Sequence, residues 1–380
     1  MKRFSGIVLL TGAIFTFCIS ACSRPSNIRP EEKNLPEEKN LPEEEDSPVF
    51  TKFSNPVTSF DWPDPTIWRN GDRFYMVATG VSSILTSSDM VKWNKMNSAP
   101  LSYAALNQAK LSGSNFWAPD VVKVGSKWML YLTCYNSASD CGIAAFSSDS
   151  ASGPFEWEGI ITHSKQTGIQ DTIDPEVVYD EENSKLWLFF GSIGRVHRVL
   201  LSQDGCSVAP GAEYIPVAGL TYSQNKARDK VFEGSYLHRH DGYWYLSVSS
   251  GNYGDTSYRI KVGRSTSLEG EFIDKDGNRM LDGYASELLS SSEGDRFYGP
   301  GHNGEIFTDL RGQDYMFYHC HDRSKGTQAR YTFLQRLFWD RDGWPYFETG
   351  KPLGEDLAPS LLRFADPFIL TDKHIKTPEI

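Results

Sequence analysis

A strand–turn–strand unit recurs five times along this chain, and this repeat most constrains its fold. Each unit has an opening strand, a polar turn and a returning strand rich in aromatic residues. The opening segments are DPTIW from Asp64, APDVV from Ala118, DPEVVY from Asp174, FEGSYL from Phe232 and HNGEIF from His302. Repeated strand units at spacings of roughly 50–70 residues are typical of propeller blades. The sequence therefore predicts an all-β, five-bladed β-propeller.

Two further strands are predicted to complete each blade. Third strands are expected at residues 84–87, 143–147, 196–202, 258–264 and 331–337. Weaker fourth strands are expected around Trp93, 155–157, Phe272 and 346–347. Helical periodicity is scarce and extends to about two turns at most, as at residues 286–290. A β-sandwich is the structural alternative, but it does not explain why the unit repeats.

The N-terminus predicts export. Lys2 and Arg3 precede an apolar run over residues 7–19 that is short for a membrane span, and small residues lead to Cys22. This pattern resembles a bacterial lipobox, so residues 1–22 are predicted to be a lipoprotein signal peptide with lipid attached to Cys22. An ordinary secretory peptide is the alternative. We expect a protein of the bacterial cell envelope that meets the membrane through its lipid anchor only.

Residues 23–48 form an acidic segment in which PEEKNL occurs twice in succession. Such a composition cannot bury enough apolar surface to fold, so a flexible tether is predicted, with the propeller domain at residues 49–380. The net charge of −11 disfavours a nucleic-acid partner. Cys134 and Cys141 could form a disulfide across a hairpin or be buried free thiols.

Carboxylates occupy three of the five opening positions. In a propeller the first strand of each blade lines the axis, so we expect Asp64, Ala118, Asp174, Glu233 and His302 to converge on one cavity. Several carboxylates in one cavity raise the pKa of at least one of them, which suits acid/base catalysis such as glycoside hydrolysis. An Asp before Pro is often only a turn former, so neither Asp64 nor Asp174 alone would indicate catalysis. The prediction depends on the acids occupying equivalent positions in several units.

The segments DPTIW, FWAPDV, IDPEVVY, FEGSYL and GPGHN occur here in an order that resembles the five-bladed propellers of glycoside hydrolase family 43. The segments YRIKVGRSTSLEGEFIDKDG, YGPGHNGEIF and LFWDRDGWP are similar to the endo-α-1,5-L-arabinanases of that family. The resemblance extends over about residues 60–350. Departures from the family pattern are Pro63 before Asp64 and Gly304 after Asn303.

The resemblance implies catalytic roles for the acids. Asp64 would be the general base that activates water, Glu233 the general acid, and Asp174 the residue that orients the acid and raises its pKa. Inversion of anomeric configuration implies that the carboxyls of Asp64 and Glu233 lie roughly 6.5–9.5 Å apart. His302 matches the residue that holds a calcium ion, which would be mostly water-coordinated because calcium prefers oxygen ligands.

Sugar binding requires flat apolar faces with polar groups at their edges. Trp117 and Phe116 match the aromatic platform of the family. Asn115, Asn136, Ser192, His321 and Arg323 lie in segments expected to surround the cavity. His238, His240 and Trp244 are predicted to be structural or exposed.

Several functions remain open from the sequence. The first is endo-acting hydrolysis of arabinan, a pentose polysaccharide, by a monomer. An exo-acting α-L-arabinofuranosidase or β-xylosidase is an alternative, since inserts at residues 97–116 and 278–298 could close one end of a groove. A non-catalytic glycan-binding propeller and a protein-interaction propeller are alternatives from other classes, which three converging acids disfavour.

Overall fold

Five antiparallel sheets arranged as a propeller dominate residues 51–361, the part of the chain that this computed structural model describes. β1 (Lys52–Ser54) precedes the blades. The first blade contains β2 (Thr66–Asn70), β3 (Arg73–Val77), β4 (Leu85–Ser87) and β5 (Asn94–Lys95). After α1 (Tyr103–Ser112), the second contains β6 (Asn115–Val124), β7 (Lys127–Ser137), β8 (Asp140–Ser148) and β9 (Glu156–His163).

The third blade follows α2 (Ser164–Thr167) and contains β10 (Glu176–Asp180), β11 (Lys185–Phe190), β12 (Val196–Leu201) and β13 (Ile215–Ala218). The fourth contains β14 (Glu233–His240), β15 (Tyr243–Ser250), β16 (Arg259–Ser265) and β17 (Ser286–Leu289). In the fifth, β18 (Phe297–Gly301) and β19 (Ile306–Thr308) both pair with β20 (Asp314–Asp322), which continues to β21 (Arg330–Trp339) and β22 (Pro345–Tyr346). β23 (Glu355–Leu357) follows the blades, and short 3-10 turns lie at Met280–Asp282 and Arg323–Lys325. The five-bladed prediction is confirmed.

The outer strand of the fourth blade was predicted wrongly. It is β17, whose sequence had suggested a short helix at residues 286–290, and not the segment around Phe272. Phe272 is buried between the third and fourth blades. Local β-propensity favours an aromatic residue as a strand former, but here the ring fills the core instead. The helix α1, which begins after Ser102 accepts a hydrogen bond from the Ala105 backbone N–H, was not predicted.

Apolar side chains from each inner strand pack towards both neighbouring blades. Ile67 lies in a cluster with side chains of the fifth blade, whereas the next residue, Trp68, packs with the second blade. Val177 and Val178 divide in the same way between the second and fourth blades. Because successive side chains of a strand point to opposite faces, both faces of each blade are buried, which explains the aromatic-rich repeats.

A ring of hydrogen bonds links the inner strands. In each blade one side chain accepts a hydrogen bond from a backbone N–H group of the next blade, and we call this set the inter-blade ring. Its bonds run from Val121 N–H to Thr66 (3.3 Å), Val177 N–H to Asp120 (2.8 Å), Leu237 N–H to Glu176 (3.2 Å), Ile306 N–H to Tyr236 (3.0 Å) and Ile67 N–H to Glu305. The ring joins all five blades in sequence around the axis.

The N-terminal segment closes the propeller against its fifth blade. β1 pairs with β23, and the Asn55 side chain both donates to the Leu334 carbonyl (2.7 Å) and accepts from its N–H (3.0 Å). The Trp62 N–H then donates to the carbonyl of Arg330 at 2.8 Å. Closure therefore fixes Arg330 beside the segment that leads into Asp64.

Cys134 and Cys141 are buried free thiols. Their register places Cys134 opposite Gly142 and Cys141 opposite Tyr135, so the two side chains lie on opposite faces of the sheet. Burial raises the pKa of Cys134 to about 12. Among the described residues, no helix combines the length and apolar character needed to cross a bilayer. The predicted signal peptide at 1–22, with Cys22, and the tether at 23–48 lie outside the described residues.

Candidate active site

The inner end of each blade is marked by one residue with left-handed backbone. These residues are Asp64 (φ 54°), Ala118 (φ 39°), Asp174 (φ 58°), Gly234 (φ 58°) and His302 (φ 43°). For residues other than glycine this conformation is unfavourable, and it tends to persist at functional sites. The predicted equivalence of the opening positions is therefore accurate in four blades, whereas Glu233 lies one residue before the equivalent position in the fourth.

A cavity of about 310 Å³ opens at this end of the axis. Asp64, Asp174, Glu233 and His302 all line it. The remaining lining residues are Thr79, Trp117, Tyr135, Asp171, Ile173, Ser192, Ile193, Arg228, Tyr253, Tyr258 and Arg330. The structure therefore brings together the three predicted catalytic acids, which we call the axial acids.

Asp64 is surrounded by a guanidinium, a hydroxyl and two imidazoles. Its carboxylate accepts hydrogen bonds from the Thr79 hydroxyl (2.6 Å) and the Arg330 guanidinium (3.1 Å). Nδ1 of His319 lies 3.1 Å and Nδ1 of His302 3.4 Å from the same carboxylate. Burial opposes ionisation, but Arg330 and the two histidines hold the pKa of Asp64 well below its usual range. Asp64 is therefore ionised at neutral pH.

Glu233 has a different environment, because both of its carboxyl oxygens face hydroxyl groups. The Ser192 hydroxyl lies 2.7 Å from Oε2, and the Tyr258 hydroxyl lies 2.8 Å from Oε1. Burial raises the pKa of Tyr258 well above its usual value, so this hydroxyl keeps its proton. Since hydroxyl groups can donate or accept, these contacts suit Glu233 in either protonation state.

Asp174 is close enough to the other two axial acids for both of their charges to act on it. Its Oδ2 atom accepts a hydrogen bond from the Gly234 backbone N–H at 3.1 Å, which fixes the segment that carries Glu233. Burial, followed by the charges of Glu233 and Asp64, raises the pKa of Asp174 well above its usual value. Asp174 therefore retains its proton to higher pH than an isolated acid would.

His302 is held against two of the axial acids. Its backbone N–H donates to the Ser249 hydroxyl at 2.7 Å, and Nδ1 lies 3.4 Å from Asp64 and 4.0 Å from Asp174. Burial lowers the pKa of His302, although the charges of Asp64 and Glu233 oppose the shift. One neutral imidazole does not by itself fit calcium, which takes 6–8 oxygen ligands. A calcium ion here would need water for most of its coordination.

Comparison with known proteins identifies the family. The model of glycosyl hydrolases family 43 matches residues 53–345. The chain belongs to this family. It is therefore a glycoside hydrolase.

Two bacterial relatives illustrate the range of activities near this family 43 chain. An extracellular exo-α-(1→5)-L-arabinofuranosidase of Cellvibrio japonicus (strain Ueda107) is 29% identical over 304 residues, covering 75% of this chain and 86% of the relative. An extracellular endo-α-(1→5)-L-arabinanase of Bacillus subtilis (strain 168) is 28% identical over 297 residues, covering 75% and 87%. Both exo- and endo-acting enzymes are thus similar to it.

Solved structures of family 43 share the fold. The α-L-arabinanase of Cellvibrio cellulosa complexed with arabinohexaose is 26% identical with a TM-score of 0.66, covering 76% of this chain and 96% of that one. An exo-1,5-α-L-arabinanase from a bovine ruminal metagenomic library is 25% identical with a TM-score of 0.64, covering 76% and 97%.

Of the aromatic pair predicted as a sugar platform, the structure brings only Trp117 to the cavity of this family 43 enzyme. Its ring stacks on Tyr135 with centroids 4.0 Å apart at 26°. Phe116, the preceding residue of β6, packs against the core between the first two blades and lines a separate cavity of about 260 Å³. Adjacent residues of a strand face opposite ways, so only one of the pair can form the platform.

Of the polar residues predicted to contact sugar, some line the cavity and others do not. Ser192 lines the cavity and bonds to Glu233, whereas Asn115 and Asn136 are exposed and do not line it. Arg323 is also exposed, and its guanidinium lies 4.6 Å from the Tyr298 ring centroid. None of Asn115, Phe116, Asn136 and Arg323 lines the axial cavity, and their sugar-binding roles stay predictions.

His321, His238, His240 and Trp244 do not line the cavity. His321 is buried behind the cavity, with Nε2 2.9 Å from the carbonyl oxygen of the lining residue Tyr253. His238 is buried and His240 is half-buried on β14, and Trp244 is buried in the core. These three positions agree with the structural roles predicted for them.

Asp171 is a fourth carboxyl of the cavity and was not predicted. Burial, the charge of Glu233 and smaller effects raise its pKa to about 6. Its Oδ1 atom is buried without a hydrogen-bond partner among the described residues. Its position three residues before Asp174 was the one available signal. Arg330 and Tyr258 were also missed, because each meets its axial acid through a contact between distant parts of the chain.

Proposed function

We propose that this protein hydrolyses α-1,5-L-arabinofuranosidic bonds in arabinan with inversion of configuration, acting within the chain. One observation carries the acid/base assignment, namely the contrast between the surroundings of Asp64 and Glu233. Asp64, beside a guanidinium and two imidazoles, stays ionised, whereas an acid beside hydroxyl groups can carry a proton. Such a pair of unlike carboxyls is what general acid and base roles require.

In this proposal ionised Asp64 takes a proton from water as the water oxygen attacks the anomeric carbon. Glu233 gives its proton to the departing sugar oxygen, so the glycosidic bond breaks as the new carbon–oxygen bond forms. Asp174 orients Glu233 through the Gly234 N–H. The resemblance also implies that Asp174 raises the pKa of this acid, and that role stays a prediction. The carboxyls of Asp64 and Glu233 are expected roughly 6.5–9.5 Å apart.

The substrate class is supported by the aromatic surface and the relatives. Trp117, stacked on Tyr135, offers a flat apolar face beside the acids, and relatives are named arabinanases and arabinofuranosidases. Exo action on arabinan or xylan is the second candidate. Inserts at residues 97–116 and 278–298 could close one end of the groove in that case. The first carries α1, and the second supplies β17 to the fourth blade.

Product analysis with linear arabinan tests the proposal. The purified protein should release mixed short oligosaccharides early in the reaction, resolved by chromatography. Arabinose alone as the early product would contradict endo action and favour the exo candidate. Binding of pentose polymers without turnover would contradict the assigned activity altogether.

A hydrated calcium ion near His302 is a separate proposal, supported by the resemblance of GPGHN and by the open axial cavity. Chelator treatment should lower the unfolding temperature or the turnover, and added Ca²⁺ should restore them. The proposal fails if both quantities are unchanged by chelation.

Attachment to the envelope through Cys22 is likewise proposed from the sequence, and relatives named as extracellular support an exported location. Cys22→Ser should release the protein from the membrane fraction of the expressing bacterium. Retention of the variant in that fraction would contradict lipid attachment.

A further inference from the structure

A second group of ionisable side chains lies at the other end of the fourth blade's inner strand. His238 and His240 are on β14, and Asp314 is the first residue of β20 in the fifth blade. One potential ligand atom from each residue lies within 4.8 Å of the other two. β14 begins at Glu233 and rises about 3.3 Å per residue, so this group, the His–His–Asp cluster, is roughly 20 Å from the axial acids along the strand.

The cluster is organised around one indole. The ring of His240 stacks on Trp339 with centroids 3.7 Å apart at 4°. Trp339 also donates its indole N–H to Oδ2 of Asp314 at 2.6 Å, and the Thr308 hydroxyl donates to Oδ1 at 2.5 Å. His238 and Asp314 are buried. The side chains are therefore held in place on a packed surface between two blades.

A separate observation concerns His238. Its Nδ1 atom is buried and has no hydrogen-bond partner among the described residues. Buried polar atoms are nearly always paired, and leaving one unpaired is costly, so this imidazole nitrogen is available to a ligand. His240 has a carboxylate neighbour of the kind that orients ligating imidazoles, since its Nε2 lies 3.5 Å from Oδ2 of Asp241.

We propose that His238, His240 and Asp314 bind a divalent transition-metal ion of the Zn²⁺ type, which links the fourth blade to the fifth. Two imidazoles and one carboxylate suit zinc and its neighbours, whereas calcium prefers oxygen ligands alone. Ligand atoms about 2.0–2.2 Å from a tetrahedral ion lie roughly 3.3–3.6 Å apart. The ligand atoms of the cluster lie within 4.8 Å of one another, so they must approach by up to about 1.5 Å.

The proposed ion has a structural role. Because it would bind the folded state and not the separated strands, it stabilises the propeller in proportion to its free concentration. The cluster lies away from the cavity, so the ion takes no part in the hydrolytic reaction, and the inference does not depend on the proposed substrate.

Zinc titration of the full-length protein tests this inference. The probe is Zn²⁺ alone, and the readout is the unfolding temperature together with equilibrium dialysis. We expect one equivalent of Zn²⁺ to bind and to raise the unfolding temperature. His240→Gln should weaken this binding at least about 10-fold, since even the outer partners of metal ligands are worth that much.

His163→Gln is the matched control, because Nε2 of His163 also lies near a carboxylate, 3.6 Å from Asp140, outside the cluster. This variant should bind Zn²⁺ as the unaltered protein does. Equal affinity of His240→Gln and the unaltered protein would overturn the proposal, because the ion would then lie elsewhere, for example among the axial acids.

Cobalt spectroscopy keeps the test decisive if His240→Gln fails to fold. The unaltered protein should show visible Co²⁺ absorption that one equivalent of Zn²⁺ removes, and Asp314→Asn should weaken or shift this spectrum. Absence of both the Co²⁺ absorption and the Zn²⁺-dependent rise in unfolding temperature would also overturn the proposal.

Discussion

In the third blade an axial acid and an acid of the inter-blade ring lie two residues apart in sequence and differ in what they contact. Asp174 lines the cavity and has like-charged neighbours, whereas Glu176, two residues further along, accepts the Leu237 N–H of the next blade at 3.2 Å. Glu305, like Glu176, is buried and accepts a backbone N–H. An acid on these strands therefore either lines the cavity or joins two blades, according to its contacts.

The largest expected effect comes from the axial side of this comparison. Asp64→Asn removes the ionised base and should lower turnover of arabinan by about 10²–10⁴-fold. Steady-state kinetics with linear arabinan measures the loss. The matched ring variant Asp120→Asn keeps an oxygen acceptor for the Val177 N–H and should retain turnover within a few-fold. Equal losses in both variants would remove the distinction between the two sets of acids.

Substitution of an acid of the inter-blade ring is expected to lower stability. Glu176→Ala leaves the buried Leu237 N–H without this acceptor, which should cost about 1–3 kcal/mol of unfolding free energy. Denaturant unfolding measures the change. Glu176→Gln retains an acceptor oxygen and should recover most of the loss. If the Ala and Gln variants are equally stable, the hydrogen bond does not hold the blades together.

Substitution of Asp171, the fourth carboxyl of the cavity, is expected to raise stability by a smaller amount, whereas Glu176→Ala lowers it. Its pKa is about 6 when folded and about 3.9 when unfolded, so the folded state binds more protons between these values. Its contribution to stability is present below about pH 4 and is lost as pH rises through 6. Asp171→Asn should therefore gain about 1–2 kcal/mol above pH 6 relative to the unaltered protein. Denaturant unfolding at pH 4 and pH 7 tests this, and an equal difference at both pH values would contradict it.

How far the sequence predicts this molecule depends on the range of the interactions. Strand alternation and turn residues are local, so the five opening segments and most third strands follow from the sequence. The partners of the axial acids do not, because Arg330 and Asp64 are 266 residues apart and meet only after the propeller closes. The same limit applies to Tyr258, which meets Glu233 across the fourth blade. The sequence also does not tell which of Phe116 and Trp117 faces the cavity, because that depends on the register of β6.

The most direct test compares the turnover of linear arabinan by Glu233→Gln and Glu176→Gln at equal folded concentration. It asks whether the axial acids, and not the acids of the inter-blade ring, are needed for catalysis. We expect Glu233→Gln to lose about 10²–10⁴-fold in turnover with a nearly unchanged unfolding temperature. We expect Glu176→Gln to keep turnover within a few-fold. Near-normal turnover by Glu233→Gln would contradict the assignment of the axial acids to catalysis.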